Sequence, residues 1–488
     1  MGPEERQRWF WGLCGCWLFV TFAYFLPAAT WNPVSRFELT RSVVERGKLD
    51  IDAFADSTGD RALVEGHWYS DKAPLPALLA VPAYALVYLW DQRYGQDATY
   101  DATGTEDRPA LRVTVNHAFA RGLYVSSLST AALGGVALGL AIYEVLRRRV
   151  SPVVAFASTT AATLGTPLFA YATSLYGHTI AGALLFGAVA VLDDRKESGD
   201  GSFGPSTSQG SLRAAGLCLV AAVGCEYLAI VPALVIALHV LFGLPRSARA
   251  RAVLEFGVGA VVPGLVIGVY HTACFGAPWR TGYSFIVHPE FAVGQAAGVM
   301  GIQLPSPSVV GSLLFGTRRG LFYVAPITAV GLVAMLYALY RRSADWLDAL
   351  GVSAFFALLV VNAGYYMWWG GAAAGPRHLV PALGFMAPGI ARAFAQRRVR
   401  YLAIPVAFVS ILEMLLLVGV GLEAPEQGNI MLDYAWRSFR VGDLSRLSGA
   451  SNWAISAGFP PGGSLGPLLA WWIVGGRYLA RAVQADEH

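Results

Sequence analysis

A polar segment early in the chain, residues 30–72, carries the densest set of acidic side chains in the sequence. A carboxylate that lies against an apolar surface has a raised pKa and can serve as a general base. The alternative interpretation is a solvated acidic loop, in which no single carboxylate has a chemical role. The sequence leaves both interpretations open for the acids of this segment, which are Glu38, Glu45, Asp50, Asp52, Asp56, Asp60, Glu65 and Asp71.

Three of these acids are the candidate catalytic residues. Asp60 follows Thr58-Gly59, a turn that would present its carboxylate, and it precedes the basic end of the segment. Asp50 and Asp52 lie two residues apart, so in an extended stretch both side chains point to the same side. Such a pair could share a proton or bind a divalent cation. We take Asp60 as the first choice of base, with Asp52 and Asp50 as alternatives, and leave any metal requirement open.

The basic residues that could hold an anion lie at the starts of apolar stretches. Lys72 directly precedes one such stretch, where an ammonium is a natural contact for a lipid-linked phosphate, although a lysine there also snorkels to the interface. Arg318 and Arg319 precede a second stretch, and Arg377 and His378 precede a third. The charge pattern places all of these residues on the outer side. Because arginines there depart from the positive-inside rule, we interpret them as contacts for an anionic phosphate.

Four further residues have both a structural and a functional interpretation. His178 follows Gly177 at a helix start, where it could contact a phosphate or a metal, although a lone histidine there is more often structural. Glu226 interrupts an apolar run, which is costly unless the carboxylate is paired. Trp368 and Trp369 are typical of an interfacial aromatic belt, and they would also serve as a stacking face for a sugar ring.

The composition indicates an integral membrane protein. Apolar residues make up 55% of the 488 residues, charged residues 14%, and the mean hydropathy is +0.49. The net charge of +4 is spread over short basic clusters, which argues against a nucleic-acid partner and for loops that follow the positive-inside rule. The five cysteines fall in or beside apolar stretches and are interpreted as small hydrophobic residues.

The long, non-alternating apolar runs predict an all-α, polytopic bundle of about 11–13 transmembrane helices. Glu226 predicts a break that divides residues 212–243 into two shorter elements. One conflict concerns orientation. If the N-terminus is cytoplasmic and every early candidate spans, Arg147–Arg149 falls outside, so one early segment is either miscounted or only partly crosses the membrane. The candidate spans are 10–29, 74–91, 122–146, 152–170, 176–192, 212–226, 228–243, 253–274, 320–340, 346–366, 379–395, 401–422 and 465–483.

We treat residues 1–488 as a single membrane domain with two long polar segments on its outer side. Residues 30–72 form the first outer loop, in which Phe37, Thr40 and Val44 share one face of a short amphipathic, interfacial helix. Residues 423–464 are predicted to form a late outer loop. Residues 197–211 are rich in Gly and Ser and are predicted to be a cytoplasmic linker.

The first outer loop resembles that of the GT-C membrane glycosyltransferases, which include the protein O-mannosyltransferases and the lipid A aminoarabinose transferase. The resemblance rests on Arg36 before a short helix, then Asp60, Gly66, Tyr69 and Lys72-Ala73-Pro74-Leu75. It continues along nearly the whole chain through Tyr176-Gly177-His178, Glu226-Tyr227, residues 275–283, Arg318-Arg319-Gly320, Trp368-Trp369-Gly370-Gly371 and Gly375-Pro376-Arg377-His378.

This resemblance implies transfer of a sugar from a polyprenyl-phosphate donor to a lipid, glycan or protein acceptor. It also implies a multi-pass protein of a bacterial or archaeal cell membrane with its active site facing outward among the membrane lipids. An outer-loop acid would activate the acceptor hydroxyl, and basic residues would hold the phosphate. The chain departs from the family pattern, because the acid usually found a few residues before the arginine that matches Arg36 is absent from Trp31-Asn32-Pro33-Val34-Ser35.

Two other functions remain as alternatives. A transporter or flippase of a lipid-linked or anionic substrate would place its site at the membrane midplane and often shows an inverted repeat. Here the polar residues concentrate in outer loops and no repeat is evident. A polysaccharide polymerase or ligase would need its catalytic residues in a late outer loop, for which residues 423–464 are the only candidate.

Overall fold

The computed structural model describes residues 3–102, 113–195, 203–206, 208–442 and 452–485. Within these ranges the predicted all-α class is confirmed, since helices dominate and each of the three sheets is a single pair of short strands. Residues 197–202 and 207 of the predicted linker 197–211 lie outside the described residues, as do residues 443–451 of the late outer loop.

The α-helices are α1 (Pro3–Ala23), α2 (Trp31–Arg41), α3 (Leu75–Arg93), α4 (His117–Ser127), α5 (Leu133–Leu146), α6 (Pro152–Leu164), α7 (Leu168–Ala172), α8 (Gly177–Leu192), α9 (Gln209–Cys225), α10 (Ile230–Gly243), α11 (Arg246–Phe275), α12 (Pro289–Ala296), α13 (Pro307–Phe315), α14 (Leu321–Val324), α15 (Ile327–Tyr340), α16 (Trp346–Gly364), α17 (Ala387–Ala395), α18 (Arg397–Val420), α19 (Arg437–Arg440), α20 (Trp453–Ser456) and α21 (Gly466–Ala485). The strands are β1 (Arg61–Val64), β2 (His67–Ser70), β3 (Tyr100–Ala102), β4 (Val113–Val115), β5 (Asp193–Arg195) and β6 (Phe203–Pro205). Shorter 3₁₀ and π segments are Ser42–Arg46, Asp52–Ser57, Leu128–Ala132, Tyr227–Ala229, Gly282–Phe285, Arg377–Met386, Ile430–Trp436 and Pro461–Gly463.

Four helices of the described chain are long and apolar enough to cross a bilayer, judged by length and composition. They are the continuous helix His117–Leu146, α11, α16 and α18. The other apolar helices, among them α6, α8, α9 and α15, are shorter than a full crossing and pack between these four. The break predicted at Glu226 is confirmed, because α9 ends at Cys225 and α10 begins at Ile230.

The early helices show which candidate span was miscounted. Helix α1 is antiparallel to the helix His117–Leu146, since Phe10 packs on Tyr143 at 4.8 Å and the Tyr124 hydroxyl donates to Ala23 O at 2.6 Å. The helix α4–α5 therefore runs back toward the end of the bundle where α1 begins, and it carries Arg147–Arg149 to that end. We call this the far end and the opposite one the site end.

Helix α3 lies across the site end and does not pass through the bundle. Its first residues pack against two helix termini at the site end. Leu75 contacts Gly224 near the end of α9, and Pro76 contacts Gly177 at the start of α8. Its last turn is at the same end, because Asp91 pairs with Arg121 of α4. The predicted span 74–91 is thus wrong, and removing it from the count brings the basic cluster Arg147–Arg149 to the end that holds the start of α1.

The far end is held by ion pairs between helix termini. Arg149, just after α5, contacts Asp193 at 2.6 Å and Asp345 at 2.7 Å. Asp345 also caps α16 through the backbone N–H groups of its first turn. These contacts join the ends of three helices at the far end.

Helix α2 is not the interfacial amphipathic helix that its pattern predicts. Phe37 packs edge-on against Tyr84 and Phe119, as expected for its apolar face, but the polar residues of α2 are buried as well. Arg41 lies between Glu38 and Glu45 at 2.9 Å from each, which offsets part of the desolvation cost of burying three charges. Helices α3 and α4 cover the apolar side of α2, while Ser57 and Glu226 contact the polar residues Glu38 and Arg36 on its other sides. The periodicity of the sequence does not reveal these contacts.

Candidate active site

A cavity of about 300 Å³ opens at the site end of the bundle. Its wall is built from the start of α2, the open end of the hairpin β1–β2, the segment around Tyr283, the turn before Arg377 and the segment that follows α18. Charged, polar and aromatic side chains line this cavity, among them Trp31, Asn32, Asp60, Asp71, Lys72, Tyr283, Phe291, Tyr365, Tyr366, Arg377, His378, Glu423 and Glu426.

Asp60, Asp71 and Lys72 form the charged centre of this cavity. The pairing of Arg61 with Ser70 in the hairpin places the residues just outside it, Asp60 and Asp71, next to each other. The Lys72 Nζ atom lies 3.0 Å from Asp60 Oδ2 and 3.1 Å from Asp71 Oδ2. Burial raises the pKa of Asp71 to about 6, against the opposing effect of the Lys72 charge. One ammonium thus links two carboxylates at the end of a short, rigid hairpin.

Arg377 and His378 bring further donors to the same cavity. The Arg377 Nε atom makes no hydrogen bond within the described chain. The His378 ring bonds to the backbone of Met367, which leaves its other ring nitrogen for a ligand. The turn before them passes close to the Arg377 side chain, and a Cβ at Gly370 would lie 2.8 Å from its Cγ atom. Gly370 and Gly371 both have positive φ angles, 76° and 68°, which this tight turn requires. Buried polar atoms without a partner at a cavity wall are suited to bind a polar ligand.

Behind the cavity wall lies a second group of predicted residues. Glu226 Oε2 is 3.2 Å from His178 Nδ1 and 3.8 Å from Arg36 Nη2, and Arg36 also donates to the side-chain oxygen of Asn32. His178 reaches Glu226 because α8 starts directly against the break between α9 and α10, where a Cβ at residue 177 would meet Cys225 O at 1.9 Å. Of this group only Asn32 lines the cavity, so the others support the wall from behind.

Tyr227 and Tyr69 also lie in the surroundings of the cavity and do not line it. The Tyr227 hydroxyl is 2.9 Å from His271 Nε2, and its ring packs against Tyr283 at 5.6 Å. The Tyr69 ring packs edge-on against Phe275 at 5.9 Å. Tyr227 therefore packs against a residue that faces the cavity, whereas Tyr69 packs against Phe275, which does not line it.

Arg318 and Arg319 have different environments despite their adjacent positions. Arg319 is buried and donates to the carbonyl oxygens of Gly371, Ala424 and Pro425 at 2.9–3.0 Å. Its guanidinium thus joins the turn before Arg377 to the segment that follows α18. Arg318 is partly exposed at the rim, 3.9 Å from Glu426.

Trp368 and Trp369 flank the guanidinium of Arg318. Its Cζ atom lies 5.8 Å from the ring centroid of Trp368 and 5.4 Å from that of Trp369. Trp369 also donates from Nε1 to Glu426 Oε2 at 3.0 Å. The two rings and Arg318 therefore form the rim of the cavity beside Glu426, which itself lines the cavity.

Replacing Arg319 by methionine is expected to loosen the site end of the bundle. The change removes three charge-assisted hydrogen bonds, each worth about 1.5–3 kcal/mol, and leaves the three carbonyl groups without this donor. We expect a lower thermal unfolding midpoint and faster proteolysis after residue 421, measured on detergent-solubilised protein. Arg318→Met is the matched control and should change both quantities little. Equal unfolding midpoints for the two variants would contradict this role of Arg319.

The structure places Asp50 and Asp52 away from the cavity. Asp52 accepts a hydrogen bond from Trp68 N at 2.6 Å and lies 2.7 Å from His67 Nδ1, and these contacts lower its pKa. Asp50 lies 3.8 Å from Arg46 and 3.9 Å from Lys48. A 3₁₀ segment begins at Asp52, so the extended stretch expected for this pair does not form. Within the described ranges no group of three or more His, Cys, Asp or Glu side chains has the arrangement of a metal site.

Several lining residues are absent from the sequence-based set. Asp71 is next to Lys72 in the sequence, and this adjacency is the sequence feature that indicates a place for Asp71 in the site. Glu423 follows α18 directly, accepts a hydrogen bond from Thr30 Oγ1 at 2.8 Å, and has its pKa raised by burial. The aromatic residues Trp31, Tyr283 and Tyr366 come from three distant segments. No local pattern in the sequence indicates that these rings face one cavity.

Comparison with solved structures identifies the architecture. The chain is similar to ArnT from Cupriavidus metallidurans in the apo state, with a TM-score of 0.52 and 17% identity, and to the same protein bound to undecaprenyl phosphate, with a TM-score of 0.55 and 14% identity. Each alignment covers 99% of this chain and 74% of ArnT. The chain therefore has the GT-C fold that the first outer loop indicates.

A second similar structure is the oligosaccharyltransferase of Archaeoglobus fulgidus in the apo form, with a TM-score of 0.50 and 11% identity. The alignment covers 84% of this chain, which spans only 55% of the length of that protein. No protein-family model matches the sequence. No curated protein matches it either.

Proposed function

We propose that the protein is a membrane glycosyltransferase that transfers a sugar from a polyprenyl-phosphate donor to an acceptor hydroxyl. The observation that carries this proposal is one cavity in which Asp60, Lys72, Arg377 and His378 meet at the end of a GT-C bundle. The similarity of the fold to ArnT, which has been solved with bound undecaprenyl phosphate, supports a lipid-phosphate leaving group.

The basic side chains of the cavity bind the donor phosphate in this proposal. Lys72 and Arg377 supply positive charge, and His378 supplies a ring nitrogen that is not otherwise hydrogen-bonded within the described chain. Hydrogen bonds from a cation to a phosphate oxygen are about twice as strong as neutral ones. These groups therefore stabilise the negative charge that builds on the phosphate as the glycosidic bond breaks.

Asp60 acts as the general base. The acceptor hydroxyl oxygen forms a bond to the anomeric carbon of the donor, the bond from that carbon to the phosphate oxygen breaks, and the hydroxyl proton passes to Asp60. The polyprenyl phosphate leaves with the bonding electron pair. Because Lys72 lies 3.0 Å from Asp60, an ammonium that binds the phosphate also holds the base beside the reacting atoms.

The charge distribution supports an outward-facing site. The basic cluster Arg147–Arg149 and the residues Arg341 and Arg342 after α15 lie at the far end, which the positive-inside rule assigns to the cytoplasm. The cavity is at the opposite end of the bundle. We therefore place the reaction at the outer face of a bacterial or archaeal cell membrane.

Replacing Arg377 by methionine tests the phosphate site directly. Loss of one charge-assisted contact, worth about 1.5–3 kcal/mol, should weaken the binding of undecaprenyl phosphate roughly 10–150-fold. Binding is measured by native mass spectrometry on protein in lipid nanodiscs. The matched control is Arg341→Met, which removes an exposed arginine at the far end. If the two variants bind undecaprenyl phosphate equally well, the cavity does not hold the donor phosphate.

A further inference from the structure

Aromatic rings line much of the cavity that contains Asp60. Trp31, Tyr283, Phe291, Tyr365 and Tyr366 all face it, and they come from the start of α2, from the segment around α12 and from the end of α16. Lys72 lies 5.6 Å from the centroid of the Tyr283 ring, so that ring belongs to the side where the phosphate is proposed to bind. The rings of Trp31 and Tyr366 are fixed in position by close contacts with glycine residues.

The Trp31 indole lies directly on Gly59, the residue before the proposed base. A Cβ atom at position 59 would meet the Trp31 ring at 2.7 Å, so only glycine leaves room for the indole there. The main chain is fixed as well, because the Thr58 hydroxyl donates to Trp31 O at 2.9 Å. The sequence Thr58-Gly59-Asp60 thus positions an aromatic ring and a carboxylate side by side on one cavity wall.

The Tyr366 ring is enclosed by two other glycines. A Cβ at Gly294 would lie 2.1 Å from the ring, and one at Gly301 would lie 2.6 Å from it. The Tyr366 N–H also donates to Gly301 O at 2.8 Å. The ring remains half-buried and still lines the cavity. The segments that carry Gly294 and Gly301 therefore hold a second aromatic ring in one orientation.

We infer that the acceptor is a carbohydrate whose sugar ring binds against Trp31 and Tyr366 and presents a hydroxyl to Asp60. This inference rests on the proposed function. Rigid aromatic rings offer apolar faces to the C–H faces of a sugar and lose little conformational entropy on binding. Asp60, Asn32 and Glu423 offer polar groups for the sugar hydroxyls along the same wall.

The size of the cavity and the environment of β1 favour a sugar over a peptide. A volume of about 300 Å³ is at the small end for ligand sites, and because the same cavity also holds the donor in the proposed function, its acceptor side suits a single terminal ring of a glycan. A peptide acceptor commonly binds by adding a strand to a free sheet edge. The nearest edge is that of β1, and Ala62 there already forms an antiparallel bridge with Ile286.

Saturation-transfer NMR on the protein in nanodiscs without donor tests the inference. The probes are mannobiose, galactobiose, arabinobiose and a hexapeptide rich in Ser and Thr. We expect at least one disaccharide to bind, its affinity to fall roughly tenfold in Trp31→Ala and Tyr366→Ala, and Tyr366→Phe to keep it because the ring remains. Trp279→Ala removes an exposed indole after α11 and should change nothing. Binding of the peptide alone, or of no disaccharide, would overturn the inference.

A parallel measurement separates this inference from the function on which it rests. Undecaprenyl phosphate is titrated into the same nanodisc samples. If it binds and no disaccharide does, the carbohydrate acceptor is wrong while the donor site stands. If it does not bind to the wild-type protein, the proposed glycosyltransferase function is wrong, and any disaccharide binding then belongs to another activity.

Discussion

Replacing Asp60 by asparagine should lower turnover about 10²–10⁴-fold while leaving the affinity for the donor nearly unchanged. This is the usual contribution of a positioned general base, and asparagine keeps the size of the side chain while losing its ability to accept the proton. Asp60 and Asp71 are the acids of the first outer loop that line the cavity and contact Lys72, and Asp60 is the more exposed of the two, at 13% against 3%. Turnover is measured as sugar transfer from a labelled polyprenyl-phosphate donor, and donor affinity by native mass spectrometry.

Asp56→Asn is the matched control for this change. Asp56 lies in the same loop, but its side chain is fully exposed and pairs with Arg61 at 3.2 Å, away from Lys72. We expect its removal to leave turnover within about twofold of the wild-type value, as for surface substitutions in general. If Asp52→Asn abolishes transfer while Asp60→Asn retains it, the function survives but the choice of base does not. Retained activity in Asp50→Asn, Asp52→Asn, Asp60→Asn and Asp71→Asn would exclude an outer-loop acid as the base.

Replacing Lys72 by methionine should lower both donor affinity and turnover. Loss of the phosphate contact alone corresponds to roughly 10–150-fold weaker donor binding. Asp60 and Asp71 would also face each other without the ammonium that now lies 3.0 and 3.1 Å from them. Removing one partner of a buried ion pair costs about 3–5 kcal/mol, so the unfolding midpoint has to be measured beside the binding constant.

Lys72→Arg and Lys48→Met complete this experiment. Arginine restores the charge, so the unfolding midpoint should recover, while the broader guanidinium restores turnover only in part. Lys48 is an exposed lysine of the same loop, 3.9 Å from Asp50, and its replacement should affect neither quantity. A Lys72→Met variant with unchanged transfer would reduce Lys72 to a membrane anchor.

The apolar runs predicted the four helices that are long enough to cross a bilayer, whereas the structure divides the candidates 152–170, 320–340 and 379–395 into shorter elements. The break at Glu226 is visible in the sequence because a carboxylate inside an apolar run must end the run or find a partner. The error at residues 74–91 has an equally simple cause. One face of α3 packs against α2, α4 and α9, and its other face leaves Leu79, Leu86, Leu89 and Trp90 exposed, so apolar residues occur on both faces. Composition does not distinguish such a helix, lying across the end of the bundle, from one that crosses the bilayer.

The sequence by itself determined the helical membrane class, the order of the elements and the candidates Asp60, Lys72, Arg377 and His378. All of these depend on local features: the length of an apolar run, or a charge at the start of one.

Only the tertiary structure decided how these residues are arranged. The hairpin register places Asp60 beside Asp71. Arg319 donates hydrogen bonds to main-chain carbonyl groups and does not face the cavity. Trp31 and Tyr366 pack against glycine residues that lie at least 28 residues away from them in the sequence. Contacts between distant segments depend on packing that no short stretch of sequence encodes, and for that reason the cavity could be assembled only from the folded chain.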